Sequence, residues 1–194
     1  MLLCLLPLLL LVAIIIKAVS AGPVILKQKR LGHNGREFHM WKFRTMHCDA
    51  DGGMHEIHLY GLMHSDAPLT KLDAKRDPRI FPFGNFIRRS AVDELPQLIN
   101  VLRGEMSLVG PRPCMPYEAR AYRLWQTARF DAVPGMTGLW QVSGKNRTTF
   151  REMIHLDIAY ARCKSFWLDL RILLKTVPTL AAEFINTPSR RKSQ

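Results

Sequence analysis

Residues 2–16 form an unbroken apolar run, LLCLLPLLLLVAIII, and this run constrains the fold more than any other feature. It is shorter than the roughly 20 residues that an apolar helix needs to cross a bilayer. A signal peptide, a buried core helix and a membrane-inserted segment that does not span alone all fit this length. No basic residue precedes the run, as a signal peptide would require. The basic residues that follow favour the third interpretation, with insertion from a cytoplasmic membrane face: Lys17, Lys27, Lys29 and Arg30.

The chain is strongly basic, because 28 Lys and Arg residues outnumber 16 Asp and Glu residues among 194. The length and an apolar content of 47% indicate one folded domain with its own core. The net charge of +12 indicates an anionic partner, which could be a nucleic acid, anionic lipid headgroups or a phosphorylated substrate. The four cysteines fit no metal-binding spacing, and we interpret them as reduced thiols.

Turn signals and apolar periodicity predict the secondary structure. Residues 24–43 are typical of a β-hairpin, with Asn34-Gly35 at its turn. Residues 47–79 are rich in His and Asp and predict a long surface loop. Apolar residues at helical spacing predict helices over residues 94–102, 116–126 and 166–184, and Pro134-Gly135 and Gly138 predict a turn.

The last helical segment carries a broad apolar face formed by Leu170, Leu173, Val177 and Phe184. This face fits either an ordinary core helix with a solvated rim or a helix whose Arg171 and Lys175 touch lipid headgroups. The fold class we predict is α+β, a small, mostly helical, membrane-associated domain with a short β-hairpin and an N-terminal membrane-inserted helix. Its parts are a membrane-inserted segment at 1–20, a catalytic domain at 21–185 and a basic tail at 186–194.

Two adjacent acids, Asp93 and Glu94, lie in the stretch SAVDELPQLINVLRGEMSLVGPRP at residues 90–113. Pro96 costs a helix little in its first turn but about 3 kcal/mol in the interior. We therefore predict Asp93 as the N-cap, with Glu94 in the first turn and Pro96 at the third helical position. Acids at a helix N-terminus stabilise it by about 0.3–1 kcal/mol, and that role alone would explain them. The surrounding arginines add a second explanation: Arg88, Arg89, Arg103 and Arg112.

Carboxylates beside arginines at a helix N-terminus suit phosphoryl transfer. One arginine can bind two phosphate oxygens at once, and Mg²⁺ is commonly held by one or two carboxylates together with substrate phosphates. An Asp carboxylate can itself attack phosphorus. Lys42 and Arg44 in WKFRTM, and Lys145 in the Gly-rich stretch at 134–147, are further candidates for phosphate contacts. The standard glycine-rich nucleotide motifs are absent from the sequence.

Five motifs carry a family resemblance: KFRTM, DPRI, RRSAVDELPQLINVLRGEMSLVGPRP, PGMTGLWQVSGKNR and LDIAYARCKSFWLDLRILLKT. In this order they resemble the bacterial sugar transferases, the monotopic polyprenyl-phosphate phosphoglycosyl transferases. The resemblance covers residues 5–180. It implies transfer of hexose 1-phosphate from a UDP-sugar to undecaprenyl phosphate with release of UMP, at the start of exopolysaccharide, capsule or O-antigen synthesis.

The resemblance also implies roles for single residues. Asp93 matches the nucleophile that carries the phosphosugar, and Glu94 matches the residue that carries Mg²⁺. Lys145 matches a basic residue near the uridine diphosphate, where arginine with its planar fork is more usual. Asp157 and Asp169 match acids of the late helices. The remaining matches are to phosphate contacts: Lys42, Arg44, Arg88 and Arg112.

The N-terminus departs from the family. The family has a re-entrant helix that enters and leaves one leaflet and is broken at a Ser-Pro pair. Leu6-Pro7 matches that break, since a proline would break or kink the helix, so only the exit half is present. That is the pattern expected of a fragment or of a misplaced start codon.

The expected location is the cytoplasmic face of the bacterial inner membrane, with membrane lipids as partners. The sequence does not decide whether the protein forms a homodimer or which hexose it transfers. An inactive membrane scaffold of the same fold is an alternative function. A basic module that binds nucleic acid or anionic membranes is a weaker one, because acids lie among the arginines and no basic stripe with aromatics is present. We therefore expect no nucleic-acid partner.

Overall fold

The computed structural model describes residues 2–47, 53–70 and 77–186, with the backbone alone for residues 2–4, 54, 55, 185 and 186. Most of the predicted basic tail at 186–194 therefore lies outside the described residues, as do parts of the 47–79 stretch. The described chain combines helices with two small sheets, which confirms a mixed, mostly helical fold.

The apolar N-terminal run forms helix α1, Leu2–Val19, and the chain is helical on both sides of Pro7. Val12 and Ile16 are buried against Phe43 of the hairpin and Phe81. The opposite face of α1 is exposed and carries Leu6, Leu10, Leu11 and Ile14. No helix in the described ranges is both long enough and apolar enough to cross a membrane.

The predicted hairpin is confirmed. Strands β1, Ile25–Leu31, and β2, Glu37–Phe43, pair antiparallel around a short turn in which Asn34 takes a φ of 55° and Gly35 a φ of 70°. Asn and Gly tolerate this left-handed region, which is why the pair predicts a turn. Fully buried Asn100 fixes the hairpin by accepting from the backbone N–H of Trp41 at 3.0 Å and donating to the carbonyl of His39 at 2.7 Å.

The prediction of a surface loop over 47–79 is wrong for its centre. Residues Gly53–Met63 form helix α2, and its Leu59 and Leu62 join the core around Phe150 and Ile154. The two leucines lie three positions apart, so they share one helix face. His58 and Gly61 interrupt the apolar residues here, so the short pattern gave a weak helix signal in the sequence.

The helix predicted to start at Asp93 begins later. After α3, Gly84–Arg89, the residues Val92–Glu94 form a 3₁₀ turn, and α4 spans Gln97–Leu102. The N-cap of α4 is Pro96, and Asp93 lies inside the preceding 3₁₀ turn. Pro96 has no N–H to donate to Val92, so that carbonyl accepts from Leu95 at 3.2 Å instead, in a tighter turn.

The second half of the chain wraps a small parallel sheet. Strand β3, Ser107–Val109, pairs with β4, Gly135–Thr137, where a turn was predicted. A Cβ on Gly135 would lie 2.0 Å from the backbone N of Gly110, so the two segments can approach only through glycine. The remaining helices are α5, Pro116–Arg120, α6, Leu139–Val142, α7, Phe150–Cys163, and α8, Phe166–Asn186.

Two helix predictions have different outcomes. The helix expected over 116–126 is interrupted after Arg120, because Arg123 takes an extended ψ of 156° before a 3₁₀ segment at Leu124–Asp131. The late helix is confirmed as α8. Ile172 is its buried contact with Val109 and Tyr160, while the broad apolar face is exposed at Leu170, Leu173, Val177 and Phe184. An ordinary core helix would bury this face.

Candidate active site

A cavity of about 640 Å³ lies between β2, the Val92–Glu94 turn, the segment around residue 112, α6 and α8. Among the described residues that line it, one carboxylate, Glu94, faces six Lys or Arg side chains. These are Arg30, Lys42, Arg79, Arg88, Arg112 and Lys145. An excess of positive charge in a concave, partly apolar site favours an anionic ligand. The cavity thus brings together five of the residues predicted from the sequence.

The Asp-Glu pair lies on a constrained turn at the edge of this cavity. Ala91, directly before the turn, has a φ of 55°, a conformation that costs a non-glycine residue free energy. Val92 and Glu94 both line the cavity, and half-buried Asp93 lies between them. Asp93 therefore lies between two lining residues of the turn, although it is not itself among the described lining residues.

Lys42 connects the hairpin to this turn. Its Nζ donates to Oε1 of Glu94 at 3.0 Å, and both side chains are partly shielded from solvent. Lys42 lies on β2 and Glu94 lies 52 positions later, so the contact depends on the tertiary fold. Arg88 projects into the cavity from the end of α3 and donates to Oγ1 of Thr45 at 3.4 Å. Each predicted basic group is thus held by a different element.

Arg112 is held by a carboxylate that the sequence did not reveal. Glu118, fully buried on α5, accepts from Arg112 at 2.9 Å and 3.3 Å and from the backbone N–H of Met115 at 3.0 Å. Burial alone would raise the pKa of Glu118, but the charge and hydrogen bonds of Arg112, with help from Arg30, hold that pKa below its usual value. Glu118 is therefore an ionised partner that fixes the Arg112 fork beside the cavity.

A second buried ion pair supports the same segment. Arg129 and Asp157, each 1% exposed, form a short charged contact, and Arg129 also donates to the backbone carbonyl of Arg112 at 2.6 Å. Burial raises the pKa of Asp157 to about 6 against the opposing charge of Arg129. Tyr122 accepts from Arg129 at 2.5 Å. Asp157 thus has a supporting position behind Arg112, a role that its place in the sequence did not indicate.

Arg79 is a cavity residue that sequence analysis did not single out. It follows Asp77 in the DPRI motif, and Asp77 accepts from the Arg79 backbone at 3.0 Å and from its side chain at 2.9 Å and 2.7 Å. These hydrogen bonds lower the pKa of Asp77. The spacing of the two residues was the available signal, because an Asp two positions before an Arg can accept from both its backbone and its guanidinium.

Lys145 lies at the rim of the cavity on a strained turn. Its φ is 43° and that of Gly144 is 126°. Lys145 Nζ donates to Oε2 of Glu183 on α8 at 2.8 Å. The predicted cation is therefore present at the cavity and is paired within the protein.

Besides Asp93, two predicted site residues are not among the described residues that line the cavity. Arg44 is buried and donates to the carbonyl of Pro23 at 2.6 Å and to Oγ and O of Ser20 at 2.8 Å, which ties α1 to the hairpin. Asp169 accepts from the hydroxyl of Tyr160 at 2.8 Å at the start of α8. In this structure both side chains make contacts that support packing, and their substrate contacts stay predictions.

No group of three or more His, Cys, Asp or Glu side chains in the described part of the chain could hold a metal ion. His58 contacts the carbonyl of Thr70 at 2.9 Å, and the side chain of His55 lies outside the described residues. A dedicated protein cage for a metal is therefore not seen among these residues. Glu94 remains the carboxylate on the cavity wall that a ligand-borne cation would meet.

Comparison with known proteins gives consistent matches. The model of a family described as bacterial sugar transferase matches residues 1–183. The chain is 43% identical over 159 residues to a galactosyl transferase of Streptococcus agalactiae, which covers 81% of this chain and 34% of that protein. It is 42% identical over 184 residues to a UDP-glucose:undecaprenyl-phosphate glucose-1-phosphate transferase of Caulobacter vibrioides, covering 90% and 62%.

An undecaprenyl-phosphate galactose phosphotransferase of Salmonella typhimurium is 40% identical over 163 residues, covering 81% of this chain and 33% of that protein. The chain thus spans about a third of the length of two of these three relatives and 62% of the other. Two of these relatives are named for undecaprenyl phosphate.

Proposed function

The chain belongs to the bacterial sugar transferase family, and on that premise we propose that it transfers hexose 1-phosphate from a UDP-sugar to undecaprenyl phosphate and releases UMP. This reaction would start the assembly of an exopolysaccharide, a capsule or an O-antigen. The relatives named above for undecaprenyl-phosphate sugar phosphotransfer support the reaction class. Which hexose is transferred depends on the shape of the pocket around it.

One structural observation supports the proposal. The cavity combines six Lys or Arg side chains with a single described carboxylate, and the Asp93-Glu94 turn lies at its edge. A diphosphate brings negative charge that these cations would offset, and Arg88 and Arg112 can each bind two phosphate oxygens. Phosphoryl transfer depends mostly on such positioning and charge stabilisation. The arrangement fits a diphosphate donor better than a neutral ligand.

Two displacements at phosphorus make up the proposed reaction. In the first, a carboxylate oxygen of Asp93 bonds to the β-phosphorus of the UDP-sugar, and the bond from that phosphorus to the bridging oxygen breaks, with its electron pair leaving on UMP. In the second, an oxygen of undecaprenyl phosphate attacks the same phosphorus. The bond to Asp93 breaks and its carboxylate is regenerated. Lys42, Arg88 and Arg112 would stabilise the charge that develops on the phosphoryl oxygens.

Mg²⁺ is the proposed cofactor, and the residues present fit an ion that arrives with the diphosphate. Mg²⁺ commonly keeps several waters and takes one or two carboxylates together with substrate phosphates, and Glu94 offers such a carboxylate on the cavity wall. When bound there, the ion would offset charge on the diphosphate oxygens. Glu94 would then exchange part of its contact with Lys42 for a contact to the ion.

We propose the cytoplasmic face of the inner membrane as the location and membrane lipids as partners. The outer face of α1 exposes Leu10 and Ile14, and α8 exposes Leu174 and Val177. Exposed apolar side chains at helical spacing, with basic residues such as Lys17 beside them, suit an interface of lipid and water. An enzyme in this position would meet a lipid-linked acceptor that stays in the membrane.

The test is a UMP-release assay on detergent-solubilised protein with undecaprenyl phosphate, Mg²⁺ and a panel of UDP-sugars. We expect one or a few UDP-sugars to support release. The variant Asp93→Asn should abolish release, because an amide cannot form the intermediate, while Asp66→Asn, at an exposed position, should keep it. Full UMP release by Asp93→Asn would refute the covalent route.

A further inference from the structure

The end of α8 is tied to the turn at residue 145 by an ion pair. Nζ of Lys145 lies 2.8 Å from Oε2 of Glu183, and the two side chains are 22% and 29% exposed. Partial burial of this kind strengthens a charge pair relative to a fully solvated one. Because Lys145 lines the cavity, its partner influences what the cavity can bind.

Glu183 occupies an unfavourable place for an acid. It lies in the last turn of α8, which ends at Asn186, and the C-terminal end of a helix carries partial negative charge. A carboxylate at that end is stabilised when a cation from another element pairs with it. The Lys145 contact supplies that cation, so the pair stabilises both the helix end and the strained turn that carries Lys145.

A second contact ties the same helix end to α3. Arg89 donates to the carbonyl of Phe184 at 2.5 Å, which is one of the carbonyls that a helix end leaves without a partner in the helix. The guanidinium also lies over the Phe184 ring at 5.4 Å, and the rings of Phe86 and Phe184 meet edge to face at 6.0 Å. The last turn of α8 is thus held on two sides.

Both contacts of the helix end adjoin the lining of the cavity. Arg88 and Ser90, which flank Arg89, line it, and so does Lys145. Helix α8 contributes Thr176, Thr179 and Leu180 to the wall. The last turns of α8 therefore lie beside the cavity and contact both α3 and the residue 145 turn.

We propose that Glu183 is a gating residue: its carboxylate holds Lys145 and the end of α8 at the cavity until a nucleoside diphosphate takes the ammonium. The inference rests on the proposed function for the class of ligand. The gate itself rests on the contacts of Glu183 and Phe184 alone. In this arrangement an anionic ligand must compete with Glu183 for Lys145. When the ligand binds Lys145, α8 loses its contact with the residue 145 turn and keeps its contact with Arg89.

This competition predicts the direction in which the affinity for anions changes when Glu183 is replaced. A carboxylate paired with Lys145 lowers the positive potential that a diphosphate meets, so neutralising Glu183 should tighten the binding of anions. For a charge several ångströms from the ligand at partial exposure, we expect an effect of about 3- to 10-fold, reduced by salt. A carboxylate that merely supported packing would give weaker binding when it is replaced.

The first experiment measures UDP binding by titration calorimetry in the presence of Mg²⁺. Glu183→Gln should lower the dissociation constant by about 3- to 10-fold at low salt, with a smaller effect at 0.5 M salt. Glu37→Gln is the matched control, because Glu37 is also paired with a lysine, Lys29 at 3.1 Å, on the exposed hairpin. It should leave the dissociation constant unchanged. Equal or weaker UDP binding by Glu183→Gln would overturn the gate.

The second experiment measures amide hydrogen exchange without relying on catalysis. Loss of the ion pair should free the residue 145 turn, so amides 145–148 should exchange faster in Glu183→Gln than in the wild-type chain. UDP added to the wild-type chain should speed exchange at 180–184, because Lys145 is withdrawn from Glu183. Unchanged exchange at 145–148 in the variant, or protection of 180–184 by UDP, would contradict the proposal.

The two readouts separate the gate from the proposed function. If the wild-type chain fails to bind UDP, the proposed donor is wrong, yet faster exchange at 145–148 in Glu183→Gln still supports the tie between Lys145 and Glu183. If UDP binds but neither its affinity nor the exchange changes in Glu183→Gln, the gate is wrong and the proposed donor stands.

Discussion

Nζ of Lys42 lies 3.0 Å from Oε1 of Glu94, and this contact joins the β-hairpin to the turn that carries Asp93. The two residues come from separate motifs, and both line the cavity. Lys42 therefore lies where its charge offsets that of Glu94 in the free protein and where, in the proposed reaction, it could contact a phosphate oxygen of the bound substrate. This double position gives Lys42 a measurable share in the proposed reaction.

Replacing Lys42 with Met should lower kcat/KM for UMP release by about 10- to 100-fold, the range expected for one charge-assisted hydrogen bond. Lys42→Arg should recover part of this loss, since it keeps the charge. Lys29→Met removes the lysine of an exposed pair on the same hairpin and should change little. Steady-state kinetics with purified variants tests this, and a Lys42→Met enzyme with wild-type kcat/KM would refute the role.

Glu118→Gln should lower the free energy of unfolding by about 3–5 kcal/mol, because it leaves the Arg112 charge unpaired in a largely buried place. Urea denaturation measures the change. The double variant Arg112→Met with Glu118→Met should cost less than Glu118→Gln alone, because the Arg112 charge is removed together with its partner. A double variant that is less stable than the single one would show that packing, and not the unpaired charge, causes the loss.

Gly135→Ala should destabilise the protein by about 3 kcal/mol or more, because the new Cβ would lie 2.0 Å from the N of Gly110 and 2.4 Å from the carbonyl oxygen of Thr137. Backbone atoms cannot yield as a flexible side chain does. Gly61→Ala is the control: it lies inside α2 with nothing within 4 Å of its Cβ position, and it should stabilise the helix by about 0.5–1 kcal/mol. Thermal unfolding of both variants decides the point, and a Gly135→Ala protein as stable as the wild type would contradict it.

Local signals predicted the elements that depend on local physics. Asn34-Gly35 specified the hairpin because few other residues accept positive φ, and the apolar period of α8 specified a long helix. The start of α4 differs from the prediction because the missing N–H of Pro96 leaves the carbonyl of Val92 to accept from Leu95 instead. A proline can shift a helix start even when its position in the first turn is allowed.

Long-range partners could not be predicted from the sequence. Glu118 is an unremarkable acid in a short helix until the fold buries it against Arg112. The contacts of the Arg44 guanidinium with Ser20 and Pro23 likewise depend on the end of α1 packing against the hairpin, and the predicted phosphate contact of Arg44 stays a prediction. Charge and spacing identify candidate residues, but burial and pairing are properties of the packed chain.

The pair Asp77 and Arg79 gives a prediction of pH dependence. Hydrogen bonds from Arg79 hold the pKa of Asp77 below its usual value, so the folded state binds a proton there less readily than the unfolded state does. The stability that Asp77 contributes is therefore fully present above the unfolded pKa, about 3.9, and is lost as the pH falls through the lower folded pKa.

Asp77→Asn keeps the shape of the side chain and cannot titrate in this range, so it isolates that contribution. At pH 7 the variant should be less stable than the wild-type chain by about 1.5–3 kcal/mol, the range for hydrogen bonds to a charged group. The difference should stay constant down to about pH 5 and shrink at lower pH, as the wild-type carboxylate becomes protonated. Urea denaturation between pH 2.5 and pH 7 gives both curves, with Asp66→Asn as the variant at an exposed acid. A difference that grows on acidification would mean that the folded pKa of Asp77 is raised, and the Arg79 contact would then not be what positions this arginine at the cavity.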